Sequence, residues 1–391
     1  MVNREHRVVI SQRGADRLAK GHSWIYRSDI EKAPASLEGG EVVALEDGRR
    51  RFLGKAFWSS RSKIAVRVVS RDEVPIDEGF FAERIATAIA LRERVFPRGS
   101  SLRLVHGEAD LLPGLVVDRY GDVVVLQTLV PATERRKQMV ADMLWNAFRL
   151  RCVVERNDVR ARELEGLPMV RGLVRGVEPG ILDHHEGEVR LRIDVLGGQK
   201  TGAFLDQRET RLRAGEYATG CCLDCFSYSG AFALQLARNA ERVTAVELQA
   251  PAVALARENT AVNRAANLEV VEANAFDFLR DASEGAPAYD LVVLDPPAFA
   301  KNKEAIPAAR RGYKEINLRA MKVLKPGGIL ITSSCSYHMS EEMLESVIGD
   351  AARDAGRPAQ FLERRGAARD HPVLAGVPET RYLKCFVLRL P

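Results

Sequence analysis

The chain has no run of the roughly 18–20 uncharged apolar residues that a bilayer-spanning helix needs, which excludes a helical membrane protein. Cysteine is sparse, six in 391 residues, so a disulfide scaffold is excluded as well. The N-terminal stretch MVNREHRVVI lacks the apolar core and small-residue cleavage site of an export signal. Together these absences predict a reduced, cytoplasmic protein with no membrane partner. Metal-ligand spacing is missing too. Cys222-x-x-Cys225 is half a zinc site without a second half, and the neighbours His184 and His185, read as a loop pair, lack the i, i+4 geometry of a zinc helix. No metal is predicted. No internal repeat or low-complexity tract stands out. Lysine is scarce, 12 against 46 arginines.

What is present is ordinary globular composition, 46% hydrophobic and 28% charged, over a length that predicts two or three domains. The formal net charge is +5, and it is unevenly placed. Residues 1–72 hold 15 Lys and Arg against 9 Asp and Glu, whereas the remainder holds 43 against 44. Guanidinium groups suit bidentate phosphate contacts, although a high-GC genome produces the same arginine bias. A small basic module on a neutral body reads as an appendage that grips a polyanion; a solvated basic surface is the plainer alternative.

Short alternating runs at 41–45, 51–58 and 63–70, parted by turn signals such as Glu46-Asp47-Gly48, predict a small β barrel over 1–72. Trp24, Tyr26 and Trp58 are suited to stack on bases, or belong to that barrel's core. Residues 72–78 read as a linker, followed by a helix over 80–96. A central α+β domain, 73–188, then carries candidate strands SLRLVHGE and LPGLVVDRYG running into DVVVLQTLV, turned at Tyr120-Gly121-Asp122, a helix over about 133–149 and a strand in RCVVERN. From 189 to 391 strand and helix alternate. Continuous apolar strands of this kind predict a parallel sheet buried on both faces. Such sheets bind ligands beyond the carboxyl ends of their strands.

Polar residues mark those ends. The first strand ends in Asp224 and runs into Cys225-Phe226-Ser227-Tyr228-Ser229-Gly230, a small-residue turn whose following helix offers free N–H groups. It holds one glycine, so it is no GxGxxG phosphate loop. The second strand ends in Glu247, 23 residues after Asp224, where an acid suits ribose hydroxyls. The third ends in Asn274, whose side-chain carbonyl suits an adenine amino group. The fourth ends in Asp295-Pro296-Pro297, a stiffened exit that holds a carboxylate at the rim. These ends predict an adenosine-containing cofactor without a pyrophosphate cradle, and S-adenosylmethionine (SAM) fits better than NAD. The fifth strand ends in Ser333-Ser334-Cys335-Ser336, which makes Cys335 a candidate nucleophile acting as its thiolate. Cys152 and Cys385 lie inside apolar strand patterns and read as inert.

These residues carry a resemblance. QKTGAFLDQR (199–208), LDCFSYSGAF (223–232), LDPPAFAK (294–301), RGYKEINLRAM (311–321), SSCS (333–336), DHPV (370–373) and PETRYLK (378–384) resemble the bacterial 23S rRNA cytosine-5 methyltransferases. GHSWIYRSDI (21–30) is similar to that family's PUA signature, and GEADLLPGLVVDRYG (107–121) to its central-domain signature. The resemblance implies a fold of three parts: an N-terminal PUA RNA-binding domain, a central α+β domain and a class I, Rossmann-like methyltransferase domain. It implies SAM at Phe204, Asp224, Phe226, Glu247 and Asn274, with Gln207, Arg208 and Asp295 nearby. Ser227, Tyr228 and Gly230 complete the cofactor loop. Asn274 departs from the usual Asp. The two-cysteine enzymes carry Pro-Cys after the fourth strand; here Ala298 follows Pro297, which leaves Cys335 as the covalent catalyst. The partner implied is 23S rRNA or a ribosomal precursor, and the assembly a homodimer.

The chemistry expected is addition of Cys335 to C6 of cytosine, with Asp295 as the second catalytic residue near N3 and the exocyclic amine. Glu379 and His371 are candidates for the base that removes the C5 proton, and Phe299 or Tyr337 for stacking on the extruded pyrimidine. The rival readings are methylation of another base or atom, a non-catalytic rRNA-binding assembly factor, and a small-molecule methyltransferase.

Overall fold

The structure is a computed structural model that describes residues 6–97 and 101–391. Arg4, counted in the basic excess, lies outside the described residues, as does the start of the expected N-terminal domain. Contacts divide the chain into two compact units. The first comprises Met1–Leu182, Ile193–Leu205 and Arg369–Thr380; the second comprises Asp183–Arg192, Asp206–Ala368 and Arg381–Pro391.

The first unit holds two sheets. Strands β1 (His6–Ile10), β2 (Trp24–Tyr26), β3 (Ile30–Lys32), β4 (Val42–Glu46), β5 (Phe52–Trp58) and β6 (Ile64–Ser70) form one, in the order β2-β6-β5-β4-β1-β3, with helix α1 (Gln12–Ala19) between β1 and β2. Period-2 apolar residues bury one face: Val8, Ile10, Val43, Leu45, Val66 and Val68 share a core with Trp58. Trp58 is therefore a core residue. Trp24 is half-buried, its indole N–H donating to Glu108 Oε1 at 3.0 Å. Asp77, in the expected linker, caps helix α2 (Glu78–Val95) by accepting from Phe80 N at 3.1 Å. The second sheet runs β11-β10-β9-β8-β7, built from β7 (Leu102–His106), β8 (Leu115–Tyr120), β9 (Val123–Thr128), β10 (Cys152–Arg156) and β11 (Arg171–Gly176). The helix expected over 133–149 is two helices, α3 (Pro131–Glu134) and α4 (Lys137–Ala147); a short α5 (Ala161–Glu165) follows β10. Phe57 and Val69 of the first sheet pack in one core with Phe80, Phe81 and Leu104, so the two sheets are not separately closed bodies.

A hairpin of β12 (Ile181–Glu186) and β13 (Val189–Asp194) follows, and it corrects the loop reading of His184 and His185, which lie in β12. His184 is buried against Glu186, which also takes Arg211, and that pairing holds the Glu186 carboxyl far below the usual range despite its burial. Among the described residues, no group of three or more His, Cys, Asp or Glu side chains is placed to hold a metal ion. No helix is long and apolar enough to cross a membrane, again among the described residues.

The second unit is built on a seven-stranded sheet. Its elements are α6 (Arg208–Tyr217), β14 (Cys221–Cys225), α7 (Ala231–Ala237), β15 (Arg242–Glu247), α8 (Ala250–Val262), β16 (Leu268–Glu272), α9 (Ala275–Ala282), β17 (Tyr289–Leu294), α10 (Ile306–Val323), β18 (Leu324–Ser334), α11 (Glu341–Ala355), β19 (Gln360–Arg365) and β20 (Lys384–Arg389). The strand order is β16-β15-β14-β17-β18-β20-β19. The first five strands are parallel; β20 inserts antiparallel between β18 and β19. An all-parallel sheet is thus corrected to a mixed one. The chain order reverses beside β14, between β15 and β17, which is where an open α/β sheet opens a ligand crevice. Leu223, Val292, Leu294 and Leu330 meet Tyr313, Ile316 and Met321 of α10 in the core beneath that crevice.

Candidate active site

The crevice-facing ends of the five parallel strands carry the residues singled out in the sequence. Asp224 is buried in β14. Its Oδ2 accepts from Ser227 Oγ at 2.6 Å and Ala233 N at 3.0 Å, while Oδ1 has no hydrogen-bond partner. Burial, reinforced by Asp295 and Glu247, pushes this carboxyl up to about 7. The loop beyond it is strained: Phe226 and Tyr228 have φ of +64° and +49°, in the left-handed region that side chains disfavour. Gly230, whose φ of +81° lies in the left-handed region that suits glycine, opens α7. Glu247 holds this loop in place. Its Oε2 accepts from Tyr228 N at 2.8 Å, and its Oε1 from Leu248 N and Gln249 N at 2.9 and 2.8 Å.

Asn274 differs from expectation. The oxygen assigned to an adenine amino group caps α9, accepting from Phe276 N at 2.9 Å, and keeps one lone pair for a ligand. Phe226 meets Phe276 edge-on at 6.0 Å, and Phe276 meets Phe299 at 5.8 Å, an aromatic row along the same rim. Asp295 follows β17, half-buried, and Gln207 Nε2 donates to its Oδ1 at 2.9 Å. Gln207 therefore orients the Asp295 carboxylate. Arg208 is buried in the first turn of α6. Phe204 belongs to the first unit, where Lys200 Nζ stands 4.2 Å from its ring centroid.

Cys335 is the residue directly after β18, half-buried. The other strand thiols are placed differently. Burial pushes Cys152 and Cys222 up to about 11 and Cys385 up to about 12, and raises Cys225 well above the ordinary thiol range. Cys221 stands at the start of β14, the opposite end of the sheet from the crevice. The serines beside Cys335 are buried and bonded. Ser334 Oγ donates to the Tyr313 hydroxyl at 2.8 Å, Ser336 Oγ lies 3.1 Å from the same hydroxyl, and Ala300 N donates to Ser336 Oγ at 3.1 Å. Tyr313, missed in the sequence, thus ties the Cys335 turn to the segment that follows Asp295. Its only sequence signal is its place in RGYKEINLRAM.

The two residues considered as bases lie in the first unit and are engaged there. His371 is buried, with Nδ1 2.8 Å from Asp370 Oδ1 and its ring 5.0 Å from that of His106. Glu379 pairs with His22, Oε2 to Nε2 at 3.2 Å. Tyr337 is exposed at 46%, with its ring edge-on to that of His338 at 5.2 Å, whereas Phe299 is packed on Tyr313 at 4.7 Å.

A buried carboxylate oxygen without a partner, grouped with two further carboxylates, fits a cationic ligand, and SAM carries both a sulfonium and an ammonium. Fold and site together define a class I SAM-dependent methyltransferase. The chain matches the SAM-dependent methyltransferase family over residues 135–389 and the PUA-like domain family over 8–71. The ribosomal RNA large subunit methyltransferase I of Shewanella amazonensis is 41% identical over 381 residues, 95% of this chain and 96% of that protein. The protein of the same name from Yersinia pseudotuberculosis is 36% identical over 393 residues, 98% and 99% of the two chains. A solved methyltransferase structure complexed with SAH superposes at a TM-score of 0.85 over 98% of this chain and 99% of that one, at 22% identity, and so supports the fold. This chain belongs to the ribosomal RNA large subunit methyltransferase I family.

Proposed function

We propose that this enzyme forms 5-methylcytosine in 23S ribosomal RNA through a covalent cysteine adduct. The observation that carries the proposal is the placement of Cys335 and Asp295 beyond the ends of adjacent parallel strands, β18 and β17, at the crevice. Neighbouring strands lie about 4.8 Å apart, a span that one pyrimidine ring bridges. The names of the two relatives support large-subunit rRNA as the substrate.

Bound SAM supplies an electrophilic methyl group. Asp224, Glu247 and Asp295 set the negative field that favours its positive charge. Glu247 and Asn274 offer acceptors to its ribose and adenine, and Phe226, Ser227, Tyr228, Gly230 and Arg208 complete its enclosure on this unit. The Cys335 thiolate adds to C6 of cytosine, which turns C5 into an enamine-like nucleophile. Asp295, held by Gln207, stabilises the proton and charge that develop at N3 and the exocyclic amine. A solvent base then takes the C5 proton, the C5–H pair forms the C5–C6 double bond, and the C6–S pair returns to the Cys335 sulfur.

The domains 1–72, 73–188 and 189–391 divide this work into RNA gripping, support and chemistry, within a cytoplasmic homodimer. In the basic N-terminal part, several charges are spent internally: Arg7 and Arg50 on Glu46, Arg13 and Arg17 on Asp29, and Arg51 on Asp47. Exposed Lys20, Lys32, Arg49, Arg61 and Lys63 are the residues proposed to meet phosphate. The deciding experiment is denaturant-stable capture of the enzyme on 23S rRNA carrying 5-fluorocytosine, whose fluorine blocks the final elimination. A captured Cys335–RNA adduct supports the reading; methylation with no adduct on any cysteine overturns it.

A further inference from the structure

One buried cation is fastened to the turn that carries Cys335. In the antiparallel ladder of β18 and β20, Ser334 lies opposite Lys384. Lys384 is 5% exposed, and its Nζ donates to the carbonyl oxygens of Ser336 at 2.7 Å and Tyr382 at 2.8 Å. The first of these belongs to the residue immediately after Cys335. Both carbonyls are neutral, so neither bond supplies the counter-charge that a buried ammonium needs. The opposite charge it senses most strongly is that of Cys335, followed by Glu341, with Arg381 opposing. Burial pushes this ammonium down to about 8. A thiolate at Cys335 restores the balance, and the thiolate is the form that adds to a pyrimidine.

We propose that Lys384 is a positioning residue for methyl transfer: its ammonium holds Cys335 as the thiolate, and its bond to the Ser336 carbonyl fixes the turn that aims the sulfur. The inference rests on Cys335 as nucleophile and adds what activates it. The thiol proton leaves Cys335 Sγ for solvent, because the Lys384 ammonium already carries its full set of protons. When the C6–S bond breaks at the end of the reaction, the electron pair returns to sulfur, and the thiolate–ammonium pair is regenerated without net proton uptake. Other groups around the thiol modulate the pair. Glu341 in α11 favours the ammonium, and Arg381 before β20 opposes it. Tyr313 of α10 stays neutral because burial raises its phenol. His338 and Tyr337 lie just beyond Cys335 in the chain.

The test is iodoacetamide alkylation of Cys335 in the full-length protein across pH, read by peptide mass spectrometry without RNA or cofactor. The wild-type midpoint is expected below the ordinary thiol value of about 8.5. Lys384→Gln keeps an N–H donor for the carbonyls but removes the charge. It is expected to raise the midpoint by about one unit and slow alkylation at pH 7 about tenfold. Lys384→Arg keeps the charge and a midpoint near wild type. A wild-type midpoint at or above about 8.5, or an equal midpoint in the Gln variant, overturns the proposal. Should the Gln variant not fold, the wild-type midpoint decides alone. Methyl transfer that survives in Cys335→Ala rejects the nucleophile itself, and the alkylation profile still reports separately whether Lys384 governs the thiol.

Discussion

The buried hydroxyl of Tyr313 lies 2.8 Å from Ser334 Oγ, and through Ser336 the same hydroxyl reaches the backbone of Ala300. One phenol therefore fastens the turn bearing Cys335 to the segment that follows Asp295. Tyr313→Phe leaves two buried serine hydroxyls short of a partner, at a cost of about 1–3 kcal/mol. Urea denaturation should show that loss, and single-turnover methylation should slow more than cofactor binding weakens. An unchanged methylation rate would show that the clasp has no part in positioning.

Cys335→Ala should reduce methylation of methylation-deficient rRNA to background while SAM binding, followed by calorimetry, stays within about twofold of wild type. The half-buried position of Cys335, outside the apolar core, is the reason to expect an intact fold. Retained turnover would reject the covalent route.

The raised Asp224 carboxyl gives a pH dependence with a definite sign. Its folded value near 7 lies above the ordinary 3.8, so the folded chain holds more protons than the unfolded one between about pH 4 and 7. The stability from this group is full below about pH 4 and lost as pH rises through 7. Asp224→Asn should therefore gain melting temperature relative to wild type more at pH 8 than at pH 4. SAM affinity should run the opposite way in the wild type, rising as the carboxylate forms and approaching a tenfold loss per unit below pH 7. Calorimetric titration that finds equal affinity at pH 5.5 and 8 would remove Asp224 from the cation site.

Removing residues 1–72 outright would strip Phe57 and Val69 from the core they share with Phe80 and Phe81, so charge removal is the cleaner probe of RNA gripping. Substituting Lys20, Lys32, Arg49 and Lys63 with Gln should weaken rRNA binding and flatten its salt dependence. Each lost phosphate contact lowers the log–log slope by about 0.7–0.9. A slope unchanged in filter binding would leave the basic excess as surface charge.

The helix–strand alternation of the second unit was legible because the middles of β14, β15, β17 and β18 are largely buried and rich in apolar residues. Strand β12, helix α6 and strand β19 escaped. Helix α6 is rich in Arg and Glu, and its buried positions are filled by Arg208, Arg211 and Thr210, which no hydrophobic period reveals. Edge strand β19, QFLERR, alternates exposed and half-buried residues and reads as loop. The direction of β20 was not legible either, since strand composition carries no sign of orientation. At the site, the strand-end acids and Cys335 stood out by position. Tyr313 and Lys384 did not, because their meaning depends on a partner reached only through the fold. The capping role of Asn274 was hidden for the converse reason: a local helix start competes for the same oxygen.

Neither compact unit is a continuous stretch of chain. The polypeptide passes from one to the other at 182/183, 192/193, 205/206, 368/369 and 380/381. A single protease nick at any one of these points leaves the two bodies joined by the others. A gene fragment stopped at residue 182 would also lack Ile193–Leu205 and Arg369–Thr380, the segments that finish the first body. The two bodies cannot be cut apart by truncation; they would have to be rewired.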